Sequence, residues 1–190
     1  MVMAESVDMW QAPKCKNGYS RFYKDWWLRD LHNLVMAHRL HPSIVMWSIG
    51  NEISEQGAKE GNRMAREMQN FIHFLDPTRP VTSGMDRIDD AISSGFAQVL
   101  DIPGINYRTH RYLAAYDKLR HGFVLGSETA STVSSRGVYK FPVQRVDGKA
   151  YDDGQCSSYD MEACWWSNEP EEDWLLQDDK DWEIGELVWT

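Results

Sequence analysis

The sequence predicts an α/β fold built from parallel βα units, and three observations carry that reading. Short apolar runs rich in β-branched and aromatic residues, such as Ile44-Val-Met-Trp-Ser-Ile49 and Phe123-Val-Leu125, alternate with longer stretches of helical period. These runs are bounded by Pro42, Gly50 and Gly122, the punctuation of buried parallel strands. Two acids, Glu52 and Glu128, stand just past the C-terminal ends of two runs, the edge where parallel sheets and barrels bind ligands.

The elements follow in order. Met1-Val-Met-Ala4 reads as a strand that runs out into a loop bearing Glu5, Ser6 and Asp8, so the chain is expected to start inside a domain. Ser20 is the expected N-cap of a helix whose stripe is Tyr23, Trp27, Leu31, Leu34, Val35 and His38. The strand at 44–49 follows, then a helix over 58–75 with Met64, Met68, Phe71, Ile72 and Leu75 on one face, ended by Asp76-Pro77. Arg79-Pro-Val-Thr-Ser83 reads as a weak strand and Asp86-Arg-Ile-Asp-Asp90 as a polar connector. Leu100-Asp-Ile-Pro-Gly-Ile-Asn-Tyr107 is a strand interrupted by Pro103. Tyr112, Leu113, Tyr116 and Leu119 mark a third helix, with Gly122 as its C′ residue. A strand at 123–126 leads to Glu128. Residues 129–180 have no sustained period and read as a long functional loop, with one late helix from about Pro170, where three acids suit the helix dipole. Gly185-Glu-Leu-Val-Trp-Thr190 is the last strand.

The 190 residues suit one domain with a sizeable core, and 42% hydrophobic with 26% charged residues is ordinary globular composition. A formal charge of -9 argues against nucleic acid, whose phosphates it would repel. No run is long and apolar enough to span a membrane. Cys15, Cys156 and Cys164 lack metal-ligand spacing, so no metal is expected. Met1-Val-Met-Ala-Glu5 has neither the basic nor the apolar part of a secretory leader; a longer parent is expected in the periplasm or outside the cell. Nine Trp and eight Tyr are many, and they serve either to fill a core or to stack on the C–H faces of a sugar.

Two strand-end carboxylates are the equipment of retaining glycoside hydrolysis, which needs a protonated acid and an ionised nucleophile about 5 Å apart. Glu52 and Glu128 are the expected pair, against the plainer reading of solvated loop acids or N-caps. Asn51 is placed to bond a sugar hydroxyl, or is a turn residue tolerant of left-handed geometry. Tyr107 is placed to hold a carboxylate ionised, or is a half-buried core tyrosine. Trp189 at the last strand tip is a sugar platform or ordinary packing. Glu5 and Asp8 take the equivalent place on the first strand, and Arg108 and His110 follow Tyr107 on a loop expected to face the same mouth. The chemistry calls for a carbohydrate substrate and for no cofactor.

The stretch His41-Pro-Ser-Ile-Val-Met-Trp-Ser-Ile-Gly-Asn-Glu52 closely resembles the acid/base signature of glycoside hydrolase family 2, the family of β-galactosidases, β-glucuronidases and β-mannosidases. Arg29-Asp30, Gly126-Ser-Glu-Thr-Ala130 and Gly185-Glu-Leu-Val-Trp-Thr190 resemble the same family in the same order. The resemblance implies a TIM (β/α)8 barrel present only in part, from strand three at Met1 to strand eight at Trp189. It implies Glu52 as acid/base after strand four and Glu128 as nucleophile after strand seven. Asn51 would meet the sugar 2-hydroxyl, Tyr107 the nucleophile, and Trp189 would line the sugar site. Within 129–180, Gln155-Cys-Ser-Ser-Tyr-Asp-Met-Glu162 and the tryptophans after it look most like the β-galactosidase branch. Strands one and two and the flanking β-sandwich domains of the family are not in this sequence, and an open barrel is expected to leave strand edges unpaired.

Overall fold

A computed structural model describes residues 1–147, 151–159 and 161–189. Six parallel strands form one sheet: β1 (Val2–Glu5), β2 (Ile44–Asn51), β3 (Val81–Met85), β4 (Ile102–Asn106), β5 (Val124–Ala130) and β8 (Glu183–Trp189). They lie side by side in that order, and among the described residues β1 and β8 do not pair with each other, so the arc is open. Helices α1 (Ser20–His38), α2 (Lys59–Leu75), α3 (Ile88–Ser94) and α4 (Tyr112–Lys118) cross between successive strands, and α5 (Pro170–Gln177) precedes β8. This is a partial TIM barrel. Within 129–180 a second, two-stranded parallel sheet joins β6 (Val146–Asp147) to β7 (Glu162–Ala163).

The core lies between sheet and helices. The α1 stripe buries Tyr23, Leu31 and Val35, and α2 buries Met64, Met68, Ile72 and Leu75 against Trp10, Trp47 and Ile49. Each such side chain stabilises the fold by about 1.5–3 kcal/mol. Two buried polar groups tie this core together. Trp10 Nε1 donates to Ile49 O at 2.8 Å, and Asp76, just past α2, accepts from Trp47 Nε1 at 3.0 Å and Arg79 Nη1 at 2.7 Å. Burial pushes the Asp76 carboxyl up, but bonds from Thr78, Arg79 and Trp47 outweigh it and hold it at about 2. The end of α2 is thereby tied to β2 and to the turn that leads into β3.

Several elements differ from expectation. The stretch read as a polar connector at Asp86–Asp90 leads into α3, because Asp89 and Asp90 suit its first turn, Ile88 and Ala91 are buried, and Gly95 caps it at φ +82. Seven residues are too few to show a period. Ser20 is the first residue of α1, not its cap; the turn at Cys15 and Gly18 feeds into the helix, and Tyr19 at the N-cap makes no side-chain cap bond. Helix α4 ends at Lys118, so Gly122, at φ +76, turns the chain toward β5 instead of capping α4. Strand β3 is buried throughout, and Pro103 sits inside β4, which is paired on both sides. Glu128 lies within β5, which runs on to Ala130, instead of beyond the strand. The last strand starts at Glu183; Thr190 and Asp160, quoted in the motifs above, lie outside the described residues.

Candidate active site

The C-terminal strand ends converge on one cleft. Asn51 is the last residue of β2 and Glu52 the next; Asn106 ends β4 and Tyr107 follows; Trp189 ends β8. Asn106 pairs in register with Glu128, and Asn51 with Gly84. The backbone here is unusual. Among the described residues, the non-glycine positions with positive φ are Glu52 (45°), Tyr107 (54°), Arg108 (50°), Ala130 (63°) and Ser131 (52°), all at these strand ends. Left-handed backbone costs a residue with a Cβ roughly 1–2 kcal/mol, so its concentration here marks strain held by surrounding structure.

A buried amide organises the carboxylates. Asn106 is fully buried; its Oδ1 accepts from Ser127 Oγ at 2.7 Å, which turns Nδ2 toward Asn51 Oδ1 at 2.8 Å and Glu52 Oε1 at 3.1 Å. Asn51 thus commits its oxygen to the protein, which leaves its NH2 as the end of the amide able to donate elsewhere. On the far wall, Tyr107 Oη donates to Glu128 Oε2 at 2.8 Å. Burial raises the Glu128 pKa and the Glu52 charge adds to it, while Tyr107, Asn106 and Lys14 pull it down. Lys14 Nζ donates to Asn51 O at 2.6 Å.

Two chambers meet at Asn51, Glu128 and Trp189. The outer one, about 360 Å³, adds Glu52, Asp86, Tyr107, Arg108, Trp165 and Trp166. The inner one, about 510 Å³, adds Glu5, Asp8, Gly84 and Ser127. Glu5 accepts from Ser48 Oγ at 2.7 Å, and its pKa is raised, chiefly by burial. Glu52, Glu128, Asn51, Tyr107 and Trp189 therefore share a cleft, and Glu5 lies in the chamber beside them. His110 does not line it; it is exposed in an adjoining groove that shares Asp86 and Arg108. Sequence reading missed Asn106, Ser127 and Gly84. Asn106 carried a signal, an amide ending an otherwise apolar run, since a buried polar group needs partners. Among the described residues no cluster of three metal-ligating side chains occurs.

Fold and cleft define the class: a partial TIM barrel with carboxylates and aromatic rings at its C-terminal edge. The chain belongs to glycosyl hydrolases family 2, whose TIM barrel domain matches residues 4–176. It is 31% identical over 229 aligned residues to beta-galactosidase BoGH2A of Bacteroides ovatus, covering 100% of this chain and 27% of that protein. It is 30% identical over 141 residues to a Formosa agariphila protein provisionally named beta-glucuronidase, covering 74% of this chain and 12% of that one. A crystal structure of a beta-glycosidase from Bacteroides vulgatus superposes with a TM-score of 0.78 at 26% identity, over 100% of this chain and 26% of that chain. The chain thus spans about a quarter or less of these relatives.

Proposed function

We propose that this chain carries the catalytic centre of a retaining, exo-acting β-glycosidase that removes terminal β-linked galactose. In the first step Glu128 attacks the anomeric carbon, its oxygen forming an ester as the bond to the leaving oxygen breaks and Glu52 gives that oxygen its proton. In the second, Glu52 takes a proton from water, the water oxygen bonds to the anomeric carbon, and Glu128 departs as carboxylate. Asn51 donates to the sugar 2-hydroxyl. Trp189 lies under the ring, and Trp165 and Trp166, supplied by the insertion 129–180, stack on the departing group. The observation that carries the reading is the pair of carboxylates lining one cleft, Glu52 held by the Asn106 amide and Glu128 by the Tyr107 hydroxyl.

A neutral sugar is supported by the inner chamber, where Glu5 and Asp8 suit hydroxyl donors and would meet a uronate with like charge. The 31% identical relative is named a beta-galactosidase, which points the same way. β-Glucuronidase is the second reading, favoured by the provisional name of the other relative, and β-mannosidase stands with it by family alone. The test is Glu128→Gln: hydrolysis of an aryl β-galactoside is abolished while the melting temperature is kept, and unaltered hydrolysis overturns the assignment. Turnover of an aryl β-glucuronide in its place selects the second reading. Binding of galactose in a thermal-shift titration with no turnover makes the chain a sugar-binding fragment.

A further inference from the structure

Asp173 lies on α5, far along the chain from Tyr107 and Glu128, and is 1% exposed. Its carboxylate gathers donors from three places. Oδ2 accepts from Ala130 N at 2.9 Å, and Oδ1 accepts from Thr109 Oγ1 at 3.1 Å and Asn168 Nδ2 at 2.8 Å. Among the described residues no cation pairs with it; Arg145 engages Glu172 on the same helix and Glu169 at its N-cap. A buried carboxylate is costly unless its lone pairs are used, so its donors show what it holds. Ala130 ends β5 two residues after Glu128, and Thr109 stands two residues after Tyr107. One donor, Ala130, therefore sits at a left-handed corner, Ala130-Ser131, and the other, Thr109, directly follows one, Tyr107-Arg108; the backbone preferences of these corners would relax them.

We propose that Asp173 is a positioning residue: accepting at once from one strained corner and from the residue that follows the other, it sets the approach of Tyr107 to Glu128 from outside the cleft. The inference rests on the proposed function for its catalytic consequence, not for its geometry. The region 129–180 then does more than line the rim, because its helix holds the two strand ends in register. If the clamp loosens, the Tyr107–Glu128 hydrogen bond lengthens and Glu128 holds its proton to higher pH.

The sign separates this from a plain charge effect. Glu186 and Tyr112 face Asp173, while Tyr107, Glu52, Asn106, Lys14 and Glu5 face Glu128. Deleting the Asp173 charge alone would help Glu128 ionise and move its titration down, whereas losing the Tyr107 bond moves it up. The experiment is a carboxyl 13C NMR titration of the full chain labelled at glutamate Cδ, with Glu128 assigned by Glu128→Gln. Asp173→Asn is expected to shift the Glu128 midpoint upward in the sense of Tyr107→Phe, and the double variant to shift it no further than Tyr107→Phe alone. Thr109→Val, which alters no charge, is expected to give a smaller upward shift and decides the matter if Asp173→Asn does not fold. A downward or absent shift in the folded variants overturns the clamp, as does an additive double variant. The titration needs no turnover: if Glu128→Gln still hydrolyses glycosides while the shifts appear, the nucleophile assignment falls and the clamp stands.

Discussion

Tyr107 and Glu128 are joined twice: Tyr107 Oη donates to Glu128 Oε2 at 2.8 Å, and Tyr107 N donates to Glu128 O at 2.5 Å. The side-chain bond therefore forms between groups whose backbones are already held together. Burial, and then Glu128 itself, keep the Tyr107 phenol well above its ordinary value, so it remains a donor throughout the neutral range. Tyr107→Phe removes an influence that lowers the Glu128 pKa and leaves burial, which raises it. The acidic limb of the kcat/KM profile is expected to move to higher pH, with activity well down that limb falling about 10- to 100-fold, the worth of a hydrogen bond to a charged group. A profile with an unmoved acidic limb would remove Tyr107 from this role.

Gly84 faces the Asn51–Asn106 pair. A Cβ there would meet Asn51 Oδ1 and stand 2.7 Å from Asn106 Oδ1, with no flexible end to yield. Gly84→Ala is expected to cost about 1–3 kcal/mol of stability, as overpacking does. It is also expected to lower kcat about 100-fold by displacing the amides beside both carboxylates. Urea denaturation and aryl-glycoside kinetics on the same sample check the two effects; a stability loss with unchanged kcat would show that the pair tolerates the shift.

Glu183 is raised to about 8, chiefly by burial and then by the Glu186 charge, against a bond from Gly126 N to its Oε1 at 3.1 Å. A carboxyl that holds its proton more tightly folded than unfolded stabilises the fold below its unfolded value of 4.5, and that contribution is lost as pH rises toward about 8. Glu183→Gln keeps the shape and removes the titration. Its melting temperature relative to the parent chain is therefore expected to be higher at pH 8 than at pH 5, and an offset independent of pH would refute the assignment.

Trp165 and Trp166 stand edge to face with centroids 5.4 Å apart, and Trp165 is 80% exposed beside the carboxylates. Trp165→Ala is expected to raise KM about fivefold for a substrate whose departing group is a second sugar, or about 1 kcal/mol. The KM for a substrate with a small alkyl leaving group is expected to change little. Equal changes for both would move the ring's role from the departing group to the retained sugar.

The legible part of the cleft was the part written in short stretches of chain. Glu52 and Asn51 follow a mostly apolar run, and Tyr107 and Trp189 end others, so each could be placed at a strand end from its neighbours in sequence. His110 lies two residues after Arg108, which lines the outer chamber, but the short turn over Thr109–Arg111 carries it into the adjoining groove. Nothing local signals that rotation. Helix α3 was missed because one buried isoleucine, one buried alanine and a glycine cap leave too short a trace to distinguish it from a polar loop.

By itself the sequence determined the parallel βα order and the strand ends that carry acids, because alternation of apolar period and punctuation is a local property of the chain; the family was legible in the resemblance of one contiguous stretch, His41 to Glu52. Tertiary structure alone decided that Asn106 stands between Asn51 and Glu52, that Gly84 leaves room for them, and that Asp173 reaches back to Ala130 and Thr109. Those contacts depend on strand register and on backbone turned left-handed at the strand ends. Both are settled by the packing of the whole arc, and no stretch of the chain specifies them alone.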